Sequence, residues 1–167
     1  MTVTVVKAMP ADAAELLRYL AQVGGETDNL SFGTEGLPCS VEEETRFLAG
    51  QEDSHTGIML LAKDGERIVG CASFHGLSRR AGHRGDVAVS VAKDYWGQGI
   101  GRTLMEGLIA FARKNGFSFL DLQVRSDNYR AIRLYEKMGF RKIGTHPAFF
   151  RMDGQEIPFD FMILSLT

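Results

Sequence analysis

Apolar and polar positions alternate with a period of two in some segments and near 3.6 in others, which predicts a mixture of strands and helices. A first strand is predicted over residues 2–7. A helix is predicted from Pro10, an acceptable first-turn residue, to Gly24 and Gly25. Its apolar face consists of Leu16, Leu17, Leu20 and Val23.

The remaining pattern predicts a single domain over residues 1–167 with the order β-α-α-β-β-β-α-β-α-β-β. Ser40 and Glu43 form a capping box for the second helix, and Asp64-Gly65 is a hairpin dipeptide. The other helices are predicted at 40–51, 99–115 and 128–138, and the other strands at 56–63, 67–77, 86–92, 117–124, 140–146 and 157–166.

Composition excludes several classes of function. The net charge of −2 comes without a long basic run, so nucleic-acid binding is not expected. No apolar run approaches the ~20 residues of a membrane span, and no secretion signal is visible. Two distant cysteines and four scattered histidines predict no metal site. We therefore expect a cytoplasmic protein.

The segment Val89–Leu104 is the most informative part of the chain: a β-branched strand, a turn with glycines at 97, 99 and 101, and a helix. Exposed amides at a helix N-terminus attract phosphate, and Arg102 and Thr103 can also hold phosphate oxygens. The spacing fits neither a P-loop nor a dinucleotide fingerprint. An ordinary strand–helix turn without a ligand is the alternative.

A second informative segment runs from Leu122 to Phe140. Ser126, Asp127 or Asn128 can cap a helix, and Gly139 can end it. Asn128 and Tyr135 are seven residues apart, which puts them on one helical face about 10 Å apart. Alternatively, Tyr135 is only a core residue in an apolar stripe with Ala131, Leu134 and Met138.

Together these two segments resemble the GNAT superfamily of N-acetyltransferases. Residues 96–101 are similar to its acetyl-CoA turn, Arg/Gln-x-x-Gly-x-Gly/Ala, although Trp96 stands where Arg or Gln is usual. Residues 128–140 match every named position of its Asn-x-x-Ala-x-x-Leu-Tyr-x-x-x-Gly-Phe block. The resemblance implies the GNAT fold, an α/β (α+β) architecture. Its central sheet is mixed and mostly antiparallel, with about seven strands, about four flanking helices and splayed strands 4 and 5.

The resemblance also implies acetyl-CoA as co-substrate, without a metal. Pantetheine would pair with the strand edge, the Val91 amide would face the thioester carbonyl, Asn128 would bind pantetheine or pyrophosphate, and Tyr135 would be the general acid. The implied acetyl-CoA-binding residues are Val89, Val91, Trp96, Gly97, Gln98, Gly99, Ile100, Gly101, Arg102, Thr103, Asn128 and Tyr135.

An alkyl amine has a pKa near ~10.4, so a base must remove its proton before attack. Asp86 is the first candidate, on the strand where many relatives carry Glu; a solvent-facing charge is the alternative. His83 is the second candidate, because its ordinary pKa is closer to neutral. Asp121 is a third. In this fold the acceptor pocket is usually walled by segments that correspond here to 26–32 and 148–161, and Asp28 and Phe32 are the expected acceptor contacts.

The predicted function is acetyl transfer from acetyl-CoA to a primary amine by direct attack. A small-molecule acceptor is preferred to a protein N-terminus or a lysine, because no extended peptide groove can be read from the sequence. A non-catalytic acyl-CoA-binding sensor is the main alternative, and a nucleotide-binding module is a third hypothesis. Relatives often form dimers, so a homodimer is possible.

Overall fold

The computed structural model describes residues 2–167 and contains one seven-stranded sheet in the order β1-β2-β3-β4-β5-β7-β6. Neighbouring strands are antiparallel except β4 and β5, which are parallel. The predicted fold class and element order are therefore confirmed. The strands are β1 Val3–Lys7, β2 Gly57–Asp64, β3 Arg67–Gly76, β4 Arg84–Val91, β5 Phe119–Arg125, β6 Arg141–Met152 and β7 Gln155–Ser165. The helices are α1 Ala13–Glu26, α2 Val41–Gly50, α3 Ile100–Lys114 and α4 Tyr129–Lys137.

Helices α1 and α3 pack on opposite faces of the sheet. Tyr19 of α1 is fully buried and its hydroxyl lies 3.0 Å from the Ser90 hydroxyl of β4. A Cβ on Gly101 of α3 would lie 3.8 Å from the neighbouring Val91 side chain and 3.5 Å from Leu134 of α4. Because successive strand residues face opposite sides, Ser90 marks the α1 face and Val91 the face of α3 and α4.

Helix α1 does not end at Gly24 and Gly25 as predicted, but continues to Glu26. These glycines allow a close approach of the following loop instead of stopping the helix. A Cβ on Gly24 would lie only 2.0 Å from the carbonyl oxygen of Gly33, so no larger side chain fits there. The loop after α1 is therefore packed directly on the helix backbone.

Strands β6 and β7 extend further towards the turn that joins them than the sequence pattern predicted, so the connection is shorter. They meet at Asp153 and Gly154, whose positive φ angles of 52° and 77° suit a tight hairpin turn. The register of β6 on β7 shifts between His146 and Phe150. This irregularity breaks the period of two, which explains why the second half of β6 was not predicted as a strand.

No helix within residues 2–167 is both long enough and apolar enough to cross a membrane.

The contact between Gly24 and Gly33 gives a stability prediction. We expect Gly24→Ala to lower the free energy of unfolding by about 1–3 kcal/mol, because the new methyl group must displace the loop backbone. The matched control is Gly50→Ala at the end of α2, where a Cβ would meet no atom within 4 Å. Urea denaturation checks both variants. Equal stability of the two would contradict the close packing of the loop on α1.

Candidate active site

Strands β4 and β5 pair over only three residues each and then separate. The paired positions are Arg84 with Phe119, Gly85 with Leu120, and Asp86 with Asp121. Beyond Asp86, β4 stays paired with β3 up to Val91, while β5 stays paired with β7 up to Arg125. We call the gap between residues 87–91 of β4 and 122–125 of β5 the wedge. This is the predicted splay of strands 4 and 5.

Backbone polar groups of β4 point into the wedge. Ala92 donates to the Val69 carbonyl, and Leu77 donates to the Arg84 carbonyl, so the even-numbered residues of β4 hydrogen-bond to β3. Hydrogen-bonded and non-hydrogen-bonded pairs alternate in an antiparallel ladder. The N–H and C=O groups of Val87, Val89 and Val91 therefore face away from β3, towards the wedge.

The glycine turn presents a run of backbone amides at the start of α3. Gly97 and Gly99 have φ angles of +78° and +80°, a region that favours glycine. Within residues 2–167, the structure records no hydrogen-bond acceptor for the amides of residues 97–102. The run ends at Thr103, whose amide and hydroxyl both donate to the Gly99 carbonyl, each over 3.1 Å.

The side chains of Thr103 and Arg102, both predicted to bind phosphate, have partners within the first turns of α3. Thr103 was expected among the phosphate-binding residues, but the first intrahelical hydrogen bond uses its amide and its hydroxyl proton is also engaged. Arg102 was expected to hold phosphate oxygens, but its guanidinium pairs with Glu106 one turn later, at 2.9 Å. The Arg102 contact uses Nε alone, so its terminal nitrogens remain donors, and phosphate binding by both residues stays a prediction.

Trp96 connects the turn to the wedge. Its indole N–H donates to the Val91 carbonyl at 2.8 Å, so one of the wedge-facing groups of β4 is already occupied. The guanidinium carbon of Arg130, at the start of α4, lies 4.9 Å from the centre of the indole ring. Sequence reasoning missed Arg130, although it lies only two residues after Asn128.

Asn128 and Tyr135 lie at opposite ends of α4. The side-chain Oδ1 of Asn128 accepts from the Ala131 amide at 3.3 Å, so Asn128 is the helix cap among the three predicted candidates. Its side-chain NH₂ remains a donor. Tyr135 is 7% exposed and packs against Phe140, as the core interpretation expected. Burial raises the pKa of Tyr135 to about 12. The Tyr135 hydroxyl therefore keeps its proton at neutral pH.

Two carboxylates meet at the closed end of the wedge. Asp86 lies opposite both Asp121 of β5 and His75 of β3. Asp121 accepts two hydrogen bonds from Arg84, at 2.6 and 3.0 Å. Burial raises the pKa of Asp86, and the negative charge of Asp121 raises that pKa further. Asp86 is thus the carboxylate whose proton affinity is increased, while Asp121 is held by an arginine.

His83 lies outside the wedge. It precedes β4, its ring is exposed, and it packs edge-on against Phe119 at the paired end of the strands. Three residues of extended chain, about 10 Å, separate His83 from Asp86. The structure does not bring His83 together with the other predicted site residues.

The loop after α1 crosses the wedge on the α1 face. Asp86 and Ser90 share this face of β4 because they lie an even number of residues apart. At one side of the loop, the Glu26 carboxylate accepts from the Lys93 amide at 2.8 Å. At the other, Arg125 at the end of β5 donates to the Asp28 carbonyl at 3.4 Å. The start of the loop is thus attached to the chain just after β4 and to the last residue of β5.

A cavity of about 350 Å³ lies between this loop and the β6–β7 hairpin. Asp28 and Phe32, the two expected acceptor contacts, both line it. Phe149 and Phe150 form part of the opposite wall and stack with ring centres 5.4 Å apart. The remaining lining residues are Gly24, Thr27, Leu30, Ser31, Gly33, Glu35, Arg151 and Met152.

Carboxylates give this cavity a cation-attracting side. Glu35 accepts from the Gly33 amide at 2.9 Å, and this backbone hydrogen bond lowers the pKa of Glu35. Asp28 lies on the same loop. Within residues 2–167, no three His, Cys, Asp or Glu side chains gather closely enough to hold a metal ion.

Comparison with known proteins agrees with this geometry. The model of the acetyltransferase (GNAT) family matches residues 26–140. N-alpha-acetyltransferase RimI of Mycobacterium tuberculosis is 34% identical over 112 residues, which are 66% of this chain and 66% of that protein. An L-methionine sulfoximine/L-methionine sulfone acetyltransferase of Pseudomonas aeruginosa is 32% identical over 111 residues, 65% of this chain and 64% of that enzyme.

Solved structures agree as well. The crystal structure of an acetyltransferase of the GNAT family from Streptococcus pneumoniae superposes with a TM-score of 0.94 and 32% identity. It covers 98% of this chain and 99% of that one. The match to the curated relatives spans just under two thirds of their lengths. This chain belongs to the GNAT family of acetyltransferases.

The Asn128 cap gives a prediction that separates its structural contribution from any ligand contact. We expect Asn128→Ala to lower the free energy of unfolding by about 1 kcal/mol, because the Ala131 amide loses its acceptor. Asn128→Asp keeps an acceptor oxygen at the helix start and is expected to stay within about 0.5 kcal/mol of the parent. Urea denaturation measures both. Equal losses in the two variants would argue against the cap.

Proposed function

We propose that this protein is an acetyl-CoA-dependent N-acetyltransferase that acts on a primary amine. The proposal rests on two neighbouring sets of backbone groups that lack hydrogen-bond partners within residues 2–167. One is the wedge-facing edge of β4, and the other is the run of amides at residues 97–102. Buried or partly buried amides need acceptors, and a ligand with amide groups and a diphosphate provides both kinds.

The residues fit coenzyme A in shape as well as in charge. Gly97 and Gly99 adopt positive φ angles, and neither has a side chain that would cover the amides of the turn. The backbone N–H and C=O groups of Val87 and Val89 can pair with the amides of pantetheine, as they would with the backbone of a neighbouring strand. The Asn128 amide NH₂, left free by the cap, supplies one further donor near α4.

Acetyl-CoA supplies the thioester that the amine attacks. In our proposal the Val91 N–H, which faces the wedge, donates to the carbonyl oxygen as negative charge develops there; such donors contribute about 3 kcal/mol elsewhere. Tyr135 holds a proton at neutral pH because burial raises its pKa to about 12, so it can protonate the departing thiolate.

Asp86 is the proposed base. Asp86 lies at the closed end of the wedge, on the same face of the sheet as the loop after α1. Its raised pKa increases its affinity for the proton of an ammonium group. Asp121, by contrast, already accepts two hydrogen bonds from the Arg84 guanidinium. A water molecule between Asp86 and the amine is consistent with the short aspartate side chain.

We propose a small amine as the acceptor, bound in the cavity between the loop and the β6–β7 hairpin. Asp28 and Glu35 would attract its positive charge, and Phe32, Phe149 and Phe150 would pack on its apolar part. The P. aeruginosa relative is named for amino-acid derivatives and the M. tuberculosis relative for N-alpha-acetylation. A protein N-terminus is therefore the principal competing acceptor.

The decisive experiment measures thiol release from acetyl-CoA with a panel of amino acids, polyamines, aminoglycosides and N-terminal peptides. If the protein is an enzyme, at least one class of acceptor should increase the rate of thiol release. If coenzyme A binds tightly but no acceptor accelerates release, the sensor hypothesis replaces the enzyme hypothesis. If ATP stabilises the protein against heat more than coenzyme A does, the nucleotide-binding hypothesis is favoured.

For Tyr135, we expect Tyr135→Phe to lower kcat by about 10²-fold while the Kd of coenzyme A stays within about twofold. The core is unchanged in shape, so the melting temperature should not fall. Tyr129→Phe is the matched control, because Tyr129 is an exposed tyrosine of the same helix. Unchanged turnover in Tyr135→Phe would support the core interpretation instead.

For Asp86, we expect kcat/KM to rise with pH through its elevated pKa, and Asp86→Asn to lower kcat by at least about 10²-fold. The folded protein binds the Asp86 proton more tightly than the unfolded chain does, so ionisation of Asp86 at neutral pH lowers stability. Asp86→Asn should thus be no less stable than the parent at pH 7. Thermal melts and pH–rate profiles check both points, and a stable variant with normal turnover would exclude Asp86 as the base.

A further inference from the structure

We propose that Arg130, positioned by the indole ring of Trp96, is the cation that binds the diphosphate of coenzyme A. This inference rests on the proposed function and extends it to a residue that neither the turn nor its resemblance indicated. It concerns the position where the chain departs from the acetyl-CoA turn, since Trp96 stands where Arg or Gln is usual.

Arg130 lies directly at the amide turn. One of its guanidinium nitrogens is 3.5 Å from the point where a Cβ on Gly97 would be. Gly97 is the first residue of the run of amides without recorded acceptors. The charge of Arg130 therefore lies beside the start of that run. A diphosphate seated on the amides would therefore lie within reach of the guanidinium.

Arg130 is also available for an anionic ligand. Among the ion pairs of residues 2–167, none involves Arg130, whereas Arg102 on the neighbouring helix is paired with Glu106. The charge of Arg102 is partly neutralised by Glu106, which contacts its Nε. The charge of Arg130 is not neutralised by a carboxylate of the described residues, and its planar fork suits two phosphate oxygens.

Trp96 holds the arginine in place. Its indole N–H is tied to the Val91 carbonyl at 2.8 Å, which fixes the ring relative to the edge of β4. The guanidinium carbon lies 4.9 Å from the ring centre, a cation–π distance. A long exposed side chain otherwise loses conformational freedom when it binds, and stacking on a fixed ring reduces that loss. Trp96 is thus a positioning residue rather than a ligand-binding one.

The test compares Kd values for coenzyme A and 3′-dephospho-coenzyme A by calorimetry. Arg130→Gln should weaken both ligands equally, by about tenfold or more, because both contain the diphosphate. Arg130→Lys should recover part of the loss because it keeps the charge. The matched control is Arg133→Gln, an exposed arginine of the same helix with no recorded contact to Trp96; both Kd values should stay within twofold.

Trp96 is the only tryptophan, so its fluorescence reports on this site without any turnover. Coenzyme A should change the emission of the parent protein, and Arg130→Gln should reduce that change. Trp96→Leu should weaken coenzyme A several-fold in the parent and add little in the Arg130→Gln background, because the ring acts through the arginine. Additive losses would show that Trp96 does not act by positioning Arg130.

Several outcomes would overturn the proposal. Unchanged affinity of Arg130→Gln for both ligands would exclude a phosphate contact. A loss for coenzyme A alone would assign Arg130 to the 3′-phosphate and not to the diphosphate. Failure of the parent protein to bind either ligand would contradict the proposed function itself, which is a different result from normal binding that is insensitive to Arg130.

Discussion

The interruption of pairing between β4 and β5 is the constraint on which the rest of the site depends. Each strand is fully paired on its other side, β4 with β3 and β5 with β7, so the sheet stays intact while the two strands diverge after Asp86 and Asp121. The divergence leaves the N–H and C=O groups of alternate β4 residues without a neighbouring strand. Unsatisfied backbone groups are costly away from water. A ligand that resembles an extended strand therefore fits this gap.

The two faces of the sheet contribute different chemistry to that gap. On the α3 and α4 face lie the amide turn, Trp96 with Arg130, and Tyr135, which together offer positive charge and a retained proton. On the α1 face lie Asp86 and the loop with Asp28, which offer negative charge. The sheet itself thereby separates a side that offers positive charge from a side that offers negative charge. The wedge is the passage between them.

Close backbone approaches hold this arrangement together. Gly24 lets the loop after α1 contact the helix. Glu26 and Asp28, at the start of that loop, contact Lys93 just after β4 and Arg125 at the end of β5. At the turn, Gly99 starts α3 with a positive φ angle and leaves the amides of the first helical turn open. These glycines serve different purposes, and only the structure distinguishes them: Gly24 is needed for space and Gly99 for backbone conformation.

Local patterns in the chain were sufficient for the order of the strands and helices and for the position of the glycine turn, because hydrophobic periodicity, capping residues and glycine spacing act over a few residues. They missed the end of α1 and the second half of β6. The resemblance to the GNAT superfamily indicated Asp86, Tyr135, Asp28 and Phe32, and Asp28 and Phe32 line the cavity beside the wedge. Local patterns failed where distant segments meet. The stacking of Arg130 on Trp96 and the contacts of the loop after α1 with Lys93 and Arg125 were decided by tertiary packing. The Arg102–Glu106 pair and the Thr103–Gly99 hydrogen bonds are different, because they lie within one helical turn and follow from local helix geometry. Side-chain partners across elements depend on strand register and helix placement, and one sequence taken residue by residue does not contain that information.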